Sequence, residues 1–348
     1  MIYWSDELVR RLVELLTAPE GYSEYTIADI LNSEFDLSIS RDAVHNKIRR
    51  TNLRSLLDRP ITDIMPYYTK YRPVIDGDVQ APKKILDLGE SSYLETQKPK
   101  LKILYLGDLH IPFQIDEQVQ TAINRNLSAD ILVTAEVADC YSISRFNKSM
   151  SIPFEVEVDN IIRFFETVSN IFPLVVVIGG NHSERISKVF QKGIPPSLLF
   201  LVEDNLLDVL ARPFHNVVIV TSQFFQINDA MFTHAEQFSK VDMKAAVNVY
   251  NTLNEWKNTL GLGEYRCLVQ SHTHMLGSAY RGSSYKLMES GCLCYIPDYS
   301  VQGFYSRPQT NGYVVIVQNN GVTDFDLARE YFFETPRYKP NYNPLMER

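Results

Sequence analysis

The chain has 348 residues, 45% of them apolar and 22% charged, and a formal net charge of −8 from 34 basic and 42 acidic side chains. These proportions suit a soluble globular chain holding one large domain plus a small one; they exclude a claim on nucleic acid from bulk charge, which would need a local basic patch or metal ions instead. No apolar run approaches the ~18 residues that span a bilayer, the N-terminal stretch carries charges where a signal peptide would be apolar, and four cysteines in a chain this long do not read as a disulfide framework, so the expected address is the cytoplasm, with no membrane association.

Residues 1–56 are predicted to form a small all-α unit. Asp6 can cap a first helix in which Leu8, Leu12, Leu15 and Leu16 recur at the helical period. Thr26 can cap a second over Ile27–Asn32, and Ser38-Ile-Ser40 precedes a third over Arg41–Leu53. A short turn before the last of three helices is the helix-turn-helix pattern. The third helix carries Arg41, Lys47, Arg49 and Arg50, residue types that reach phosphates and base edges. The segment resembles small bacterial and phage helix-turn-helix domains, which implies a nucleic-acid partner; a packing or dimerisation module with a solvated basic face is the alternative. A homo-oligomer is left open.

Residues 57–99 change character. Pro60, Pro66, Pro73, Pro82 and Pro99 interrupt any period, with Tyr67, Tyr68 and Tyr71 between them, as in a linker or a wrapping arm. From residue 100 to 348 strands alternate with helices. Strands are predicted at Leu101–Leu106, Ile131–Ala135, Leu174–Ile178, Val217–Val220, Phe224–Phe232, Cys267–Gln270, Tyr285–Tyr295, Gly312–Gln318 and Thr323–Leu327. Helices are predicted after His110 to about residue 127, over 155–171, over 198–210 and over 243–260. Asn319-Asn320-Gly321 is a hairpin turn. Cys292 and Cys294 share one strand face and read as packing, since no second Cys/His pair lies nearby in sequence to complete a zinc site.

The histidines carry the functional signal. His110, His182, His272 and His274 lie just beyond strands, as do Asp108 and Glu136, and His234 follows a strand directly. Strand C-termini of open α/β sheets converge on one crevice, so ligands far apart in sequence can meet there. Imidazole nitrogens and carboxylate oxygens suit first-row divalent ions. The ordered set is Asp108-x-His110, then Glu136 with Asp139, then Gly180-Asn181-His182, then His234, then His272-x-His274.

With these motifs residues 100–330 resemble the calcineurin-like metallophosphoesterase superfamily. The resemblance implies two mixed β-sheets flanked by helices in an αββα sandwich. It also implies two divalent ions, manganese first, with Fe, Zn or Ni as alternatives. Asp108, His110 and His274 would hold one ion, Asn181, His234 and His272 the other, and Glu136 would bridge. His182 would protonate the leaving group after attack by a metal-activated hydroxide, oriented by Asp139. Three positions depart from the family pattern: Ala135-Glu136 replaces Gly-Asp, Ser183 stands where an acid is usual, and Ser271 replaces Gly. Arg145 and Arg185 follow two motifs and could hold a phosphate oxygen or a surface acid. The expected function is hydrolysis of phosphodiesters, first of nucleic acid. A phosphomonoesterase or small-molecule or protein phosphatase is one alternative, and a DNA-binding protein with a weakened phosphoesterase fold is another.

Overall fold

The computed structural model describes residues 4, 8–9, 11–12, 15, 24–35, 37–50, 91–144, 151–185, 189, 206–220, 222–259, 261–296 and 309–338. The chain separates into two units, residues 1–63 and 64–348. In the first, α1 (Glu24–Phe35) and α2 (Arg41–Arg50) follow each other through a short connection. Leu8, Leu12, Leu15, Ile27, Ala28, Leu31, Ile39, Val44 and Ile48 form its buried core. Asn32 ties the connection down: its side chain donates to Ile39 O at 2.9 Å and accepts from Ile39 N. Ser40 accepts from Ala43 N at 3.2 Å, capping α2.

The second unit is built on two mixed sheets. In chain order it holds β1 (Ser91–Leu94), β2 (Lys100–Leu106), α3 (Asp116–Asn124), β3 (Ile131–Ala135), α4 (Phe154–Ile171), β4 (Leu174–Ile178), α5 (Leu206–Ala211) and β5 (Val217–Val220). There follow β6 (Phe224–Ile227), β7 (Ala230–Thr233), α6 (Lys244–Trp256), β8 (Cys267–Gln270), β9 (Leu276–Arg281), β10 (Tyr285–Ser290), β11 (Gly312–Asn319), β12 (Val322–Thr323) and β13 (Arg329–Phe332). One sheet has the order β12-β11-β2-β3-β4-β5, with β13 also on β11; β2 to β5 are parallel and β11 is antiparallel to β2. The other has the order β1-β6-β7-β8-β10-β9.

The strand sequences explain the layering. β2 to β4 are apolar on both faces because both faces are covered. Ile103, Tyr105, Val133 and Val176 point into the space between sheets, where they meet Phe225, Phe232, Val269 and Met288. Leu104, Leu106, Leu132 and Val175 point the other way, against Ile123 of α3, Phe165 of α4 and Leu207 of α5. The second sheet turns Met231, Leu268 and Leu287 outward against Val249 and Leu253 of α6. Helix, sheet, sheet and helix therefore stack in four layers, the αββα sandwich expected.

Several boundaries differ from the sequence reading. Phe224–Phe232 is not one strand: Asn228, at φ 49°, turns the chain so that β6 and β7 pair as a hairpin. β5 belongs to the opposite sheet. Ser91–Leu94, within the Pro- and Tyr-rich segment, pairs in parallel with β6. Of Thr323–Leu327 only Thr323 is in a strand, and β13 follows. Asn320 and Gly321, at φ 49° and 78°, make the anticipated hairpin turn.

Candidate metal centre

The loops leaving β2 and β3 continue side by side past the sheet. Asp108 N donates to Ala135 O at 3.1 Å, His110 N to Glu136 O at 3.1 Å and Ile111 N to Val137 O at 2.8 Å. The same edge receives the loops after β4, β7 and β8: Gly179 N donates to Val220 O, and Ser271 N to Thr233 O. The backbone there is unusual. Asp108, His110, Glu136, His272 and His274 all adopt left-handed φ, between 46° and 74°. Non-glycine residues take that conformation at a cost of about 1–2 kcal/mol each, and clusters of them mark functional sites.

The side chains converge on Asp108, which is fully buried. Its Oδ1 lies 3.1 Å from His234 Nε2 and 3.8 Å from the Nε2 of both His110 and His274. Its Oδ2 accepts the His272 N–H at 2.9 Å. His110 Nε2 and His274 Nε2 are 3.1 Å apart. Glu136 Oε2 is 3.6 Å from His234 Nε2, and the His272 ring sits edge-on to His234 with centroids 5.1 Å apart. Asn181 Oδ1 is buried with no hydrogen-bond partner, as is His234 Nδ1.

This arrangement fits divalent cations. Metal–ligand bonds of about 2.0–2.3 Å set neighbouring donors roughly 3–4 Å apart, which matches the Asp108–His110–His274 triangle of 3.8, 3.8 and 3.1 Å. His110 Nδ1 lies 3.1 Å from Asp139 Oδ2; when Nδ1–H donates a hydrogen bond to that carboxylate, Nε2 presents a lone pair 3.1 Å from the His274 Nε2, where a proton or a cation can sit between the rings. A carboxylate behind a ligating histidine also fixes its tautomer.

Electrostatics follow the geometry. Burial pushes the Asp108 carboxyl up, but the His234 hydrogen bond and three neighbouring imidazoles outweigh it and hold it well below the usual range. Asp139 is likewise lowered, burial being overcome by His182 and His110. Burial and the His234 charge bring His272 down to about 4. Burial would lower His274, yet Cys292 and Asp108 raise it to about 9.

Beside the triangle lies a second group. Asp139 Oδ2 is 3.3 Å from His182 Nδ1, although the angle leaves that nitrogen without a hydrogen bond. Arg185 Nη1 donates to Asp139 O at 2.7 Å and Oδ1 at 3.3 Å, and Nη2 is 3.0 Å from His182 Nε2. A guanidinium only donates, so His182 accepts at Nε2 and its ring proton sits on Nδ1, toward Asp139. Arg185 is therefore engaged with Asp139 and His182, and Arg145 lies outside the described residues. Glu157 of α4 fixes the segment after Asp139, its two oxygens accepting the N–H groups of Tyr141 and Ser142 at 2.9 Å each.

The three departures from the family pattern have physical partners. Glu136 is longer than Asp, and its carboxylate accepts N–H bonds from His182 at 3.1–3.2 Å and Ser183 at 3.3 Å. Gly180 makes room for it: a Cβ there would lie 2.3 Å from Glu136 Oε2. Ser183 closes the Gly180 turn, donating to Gly180 O at 2.8 Å. Ser271 joins the two sheets through Tyr105 Oη at 2.6 Å and Thr233 O at 2.9 Å.

Two site neighbours escaped the sequence reading. Cys294 presents its sulfur within 4.8 Å of ring nitrogens of both His110 and His274. Cys292 faces His274: burial would raise its thiol, but the Cys294 hydrogen bond and the His274 charge hold it below its ordinary value. The only sequence signal was the Cys-x-Cys spacing itself.

In the helical unit, Arg41 Nε lies 3.2 Å from Glu24 and its guanidinium covers the Tyr25 ring. Lys47 sits over Trp4. The side chains of Arg49 and Arg50 lie outside the described residues.

Two mixed sheets thus lie face to face, with helices on both outer sides and a His/Asp cluster at one sheet edge. No family model matches the sequence, and no curated protein does. Among solved structures, a single mutant of Vps29 from Entamoeba histolytica aligns with 67% of this chain and 100% of its own at 13% identity, TM-score 0.34. A metallophosphoesterase from Sphaerobacter thermophilus aligns with 68% of this chain and 90% of its own at 11% identity, TM-score 0.36. A dimetal phosphatase from Danio rerio aligns with 63% and 93% at 7% identity, TM-score 0.32. No described helix is long and apolar enough to cross a membrane.

Proposed function

We propose that the chain is a metal-dependent phosphoester hydrolase. The observation that carries this reading is the convergence of three imidazole Nε2 atoms within 3.8 Å of Asp108 Oδ1. Asp108, His110 and His274 would hold one divalent ion. Asn181, His234 and His272 would hold a second, with Glu136 between the two. When bound, the ions supply positive charge against phosphate oxygens and acidify water.

The chain's own residues do the rest. His182 serves as general acid once Arg185 has moved off Nε2 and that nitrogen has taken a proton from solvent, which it then passes to the leaving oxygen. Asp139 faces the other ring nitrogen and stabilises the imidazolium. Arg185 occupies the Nε2 side of that ring, so a leaving oxygen must take its place, and the displaced guanidinium is then close to the anionic phosphate. Asp139 faces the His110 and His182 rings, and Glu136 holds the backbone N–H groups of His182 and Ser183.

The proposed substrate is a phosphodiester, nucleic acid first. The basic residue types of α2, Arg41, Lys47, Arg49 and Arg50, are the sequence feature behind that choice, and Arg41 would have to leave Glu24 to meet a phosphate. The test pairs labelled single- and double-stranded DNA with a nitrophenyl phosphodiester and a nitrophenyl monoester, each with manganese or zinc. Cleavage of DNA together with the synthetic diester is expected. Turnover of the monoester alone would overturn the diester assignment, and metal binding without turnover of any ester would overturn the hydrolase reading.

A further inference from the structure

The stretch that follows β10 is held against the Asp108 loop. Leu293 N donates to Asp108 O at 3.3 Å, Ile115 N to Leu293 O at 2.8 Å and Tyr295 N to Phe113 O at 3.0 Å, while Gln114 and Cys294 form an antiparallel bridge. Cys294 O is fixed in turn by the side-chain amides of Gln309 at 2.7 Å and Asn311 at 3.2 Å. Leu293 is buried in the helix-side core. Alternation along an extended segment therefore sends Cys292 and Cys294 to the opposite face, which is the face of His110 and His274. Cys294 is completely buried, so its sulfur meets these imidazoles without competing water.

The group His110, His274 and Cys294 has all its donor atoms within 4.8 Å of one another. Asp108 Oδ1 adds a fourth donor, 3.8 Å from each of the two imidazoles. The two imidazole nitrogens and the Asp108 oxygen stand at separations that suit a four-coordinate cation, and the Cys294 sulfur, within 4.8 Å of both nitrogens, is the nearby candidate for the remaining donor after a small closing shift. A thiolate changes which metal such a seat prefers. Soft sulfur favours zinc or iron, whereas manganese prefers oxygen-rich sites.

We propose that Cys294 is a thiolate ligand of the seat formed by Asp108, His110 and His274, and that this seat takes a thiophilic cation such as zinc rather than manganese. The proposal rests on the metal reading above and narrows it. Coordination forms an S–metal bond and releases the thiol proton to solvent, with no change of oxidation state. Cys292 stays outside the coordination sphere, packed against His274.

Cobalt(II) is the probe, because thiolate coordination gives a sulfur-to-cobalt charge-transfer band in the near ultraviolet. The full chain is stripped with chelator, titrated with cobalt and read by absorbance, with bound cobalt counted by elemental analysis. The native chain and Cys292→Ser are expected to show the band. Cys294→Ser is expected to lose it while still binding cobalt, and to lose zinc affinity by at least about ten-fold with little change for manganese. Cobalt bound to the native chain with visible d–d bands but no sulfur band overturns the thiolate assignment and leaves the metal reading standing. A band lost in Cys292→Ser and kept in Cys294→Ser overturns the choice of cysteine. No cobalt bound at all overturns both readings. The native spectrum is decisive even if a variant fails to fold.

Discussion

Replacing Gly180 with alanine probes the site through a single methyl group. The new Cβ would stand 2.3 Å from Glu136 Oε2, 2.4 Å from Cδ and 2.7 Å from Oε1. Non-bonded atoms settle near roughly 3.5 Å, so the carboxylate must retreat by about 1 Å or more. It is the end of a flexible side chain, and the fold should lose only about 1–3 kcal/mol. The retreat carries Glu136 away from the His182 and Ser183 N–H groups, now 3.1–3.3 Å distant, and displaces the proposed bridging ligand. Metal affinity should therefore fall at least about ten-fold, or about 1.4 kcal/mol. Calorimetric titration with zinc and manganese reads affinity and stoichiometry, and urea unfolding of the same samples separates binding from stability. The double variant Gly180→Ala with Glu136→Asp should bind within about three-fold of Glu136→Asp alone, because removing one methylene clears the collision. Native affinity in Gly180→Ala, or a double variant in which the two losses simply add, would refute this account of why Gly180 and Glu136 occur together.

Three further outcomes are expected. His182→Ala should keep its metal content by elemental analysis and lose about 10²–10⁴ in turnover of a phosphodiester; loss of metal would show that His182 is a ligand. Asp139→Asn should weaken metal binding by about 10–100-fold, since Asp139 stands 3.1 Å behind His110 Nδ1, and an unchanged calorimetric affinity would contradict the supporting role. Glu157, raised by burial from its ordinary 4.5 to about 7, favours its protonated form in the fold. Its contribution is thus fully present below about pH 4.5 and is lost as pH rises through about 7, a change on the order of 3 kcal/mol at most. Urea unfolding between about pH 5 and 8 should show this slope in the native chain and a flatter one in Glu157→Gln; parallel slopes would assign the pH dependence to other groups.

Much of the sandwich was legible because its central strands are buried on both faces. Leu101–Leu106, Ile131–Ala135 and Leu174–Ile178 are apolar runs of strand length with a candidate ligand side chain just beyond each. The edge elements were not legible. β9 (Leu-Gly-Ser-Ala-Tyr-Arg) and β13 (Arg-Glu-Tyr-Phe) lack alternation because they are half exposed, and pairing partners rather than their own residues define them. The hairpin at Asn228 was hidden inside an apolar stretch whose turn residues are only Asn228 and Asp229. Within the site, Asp108, His110, His234 and His274 could be gathered because each ends a strand. Cys292 and Cys294 could not, since their approach to His274 and His110 depends on the chain after β10 running beside the residue 108–115 loop. Nor does spacing reveal that Arg185 lies across His182; that contact depends on the turn over residues 180–183.

The left-handed backbone at Asp108, His110, Glu136, His272 and His274 has a consequence for how such a chain changes over time. Glycine would relieve the backbone strain at each of those five positions, yet it would remove the side chains that meet around Asp108 and the buried hydrogen bonds that Asp108 and Glu136 accept, so a change there exchanges local ease for loss of the cluster. That backbone also means the architecture tolerates a standing load at one edge, carried by the double-faced packing of the parallel strands behind it.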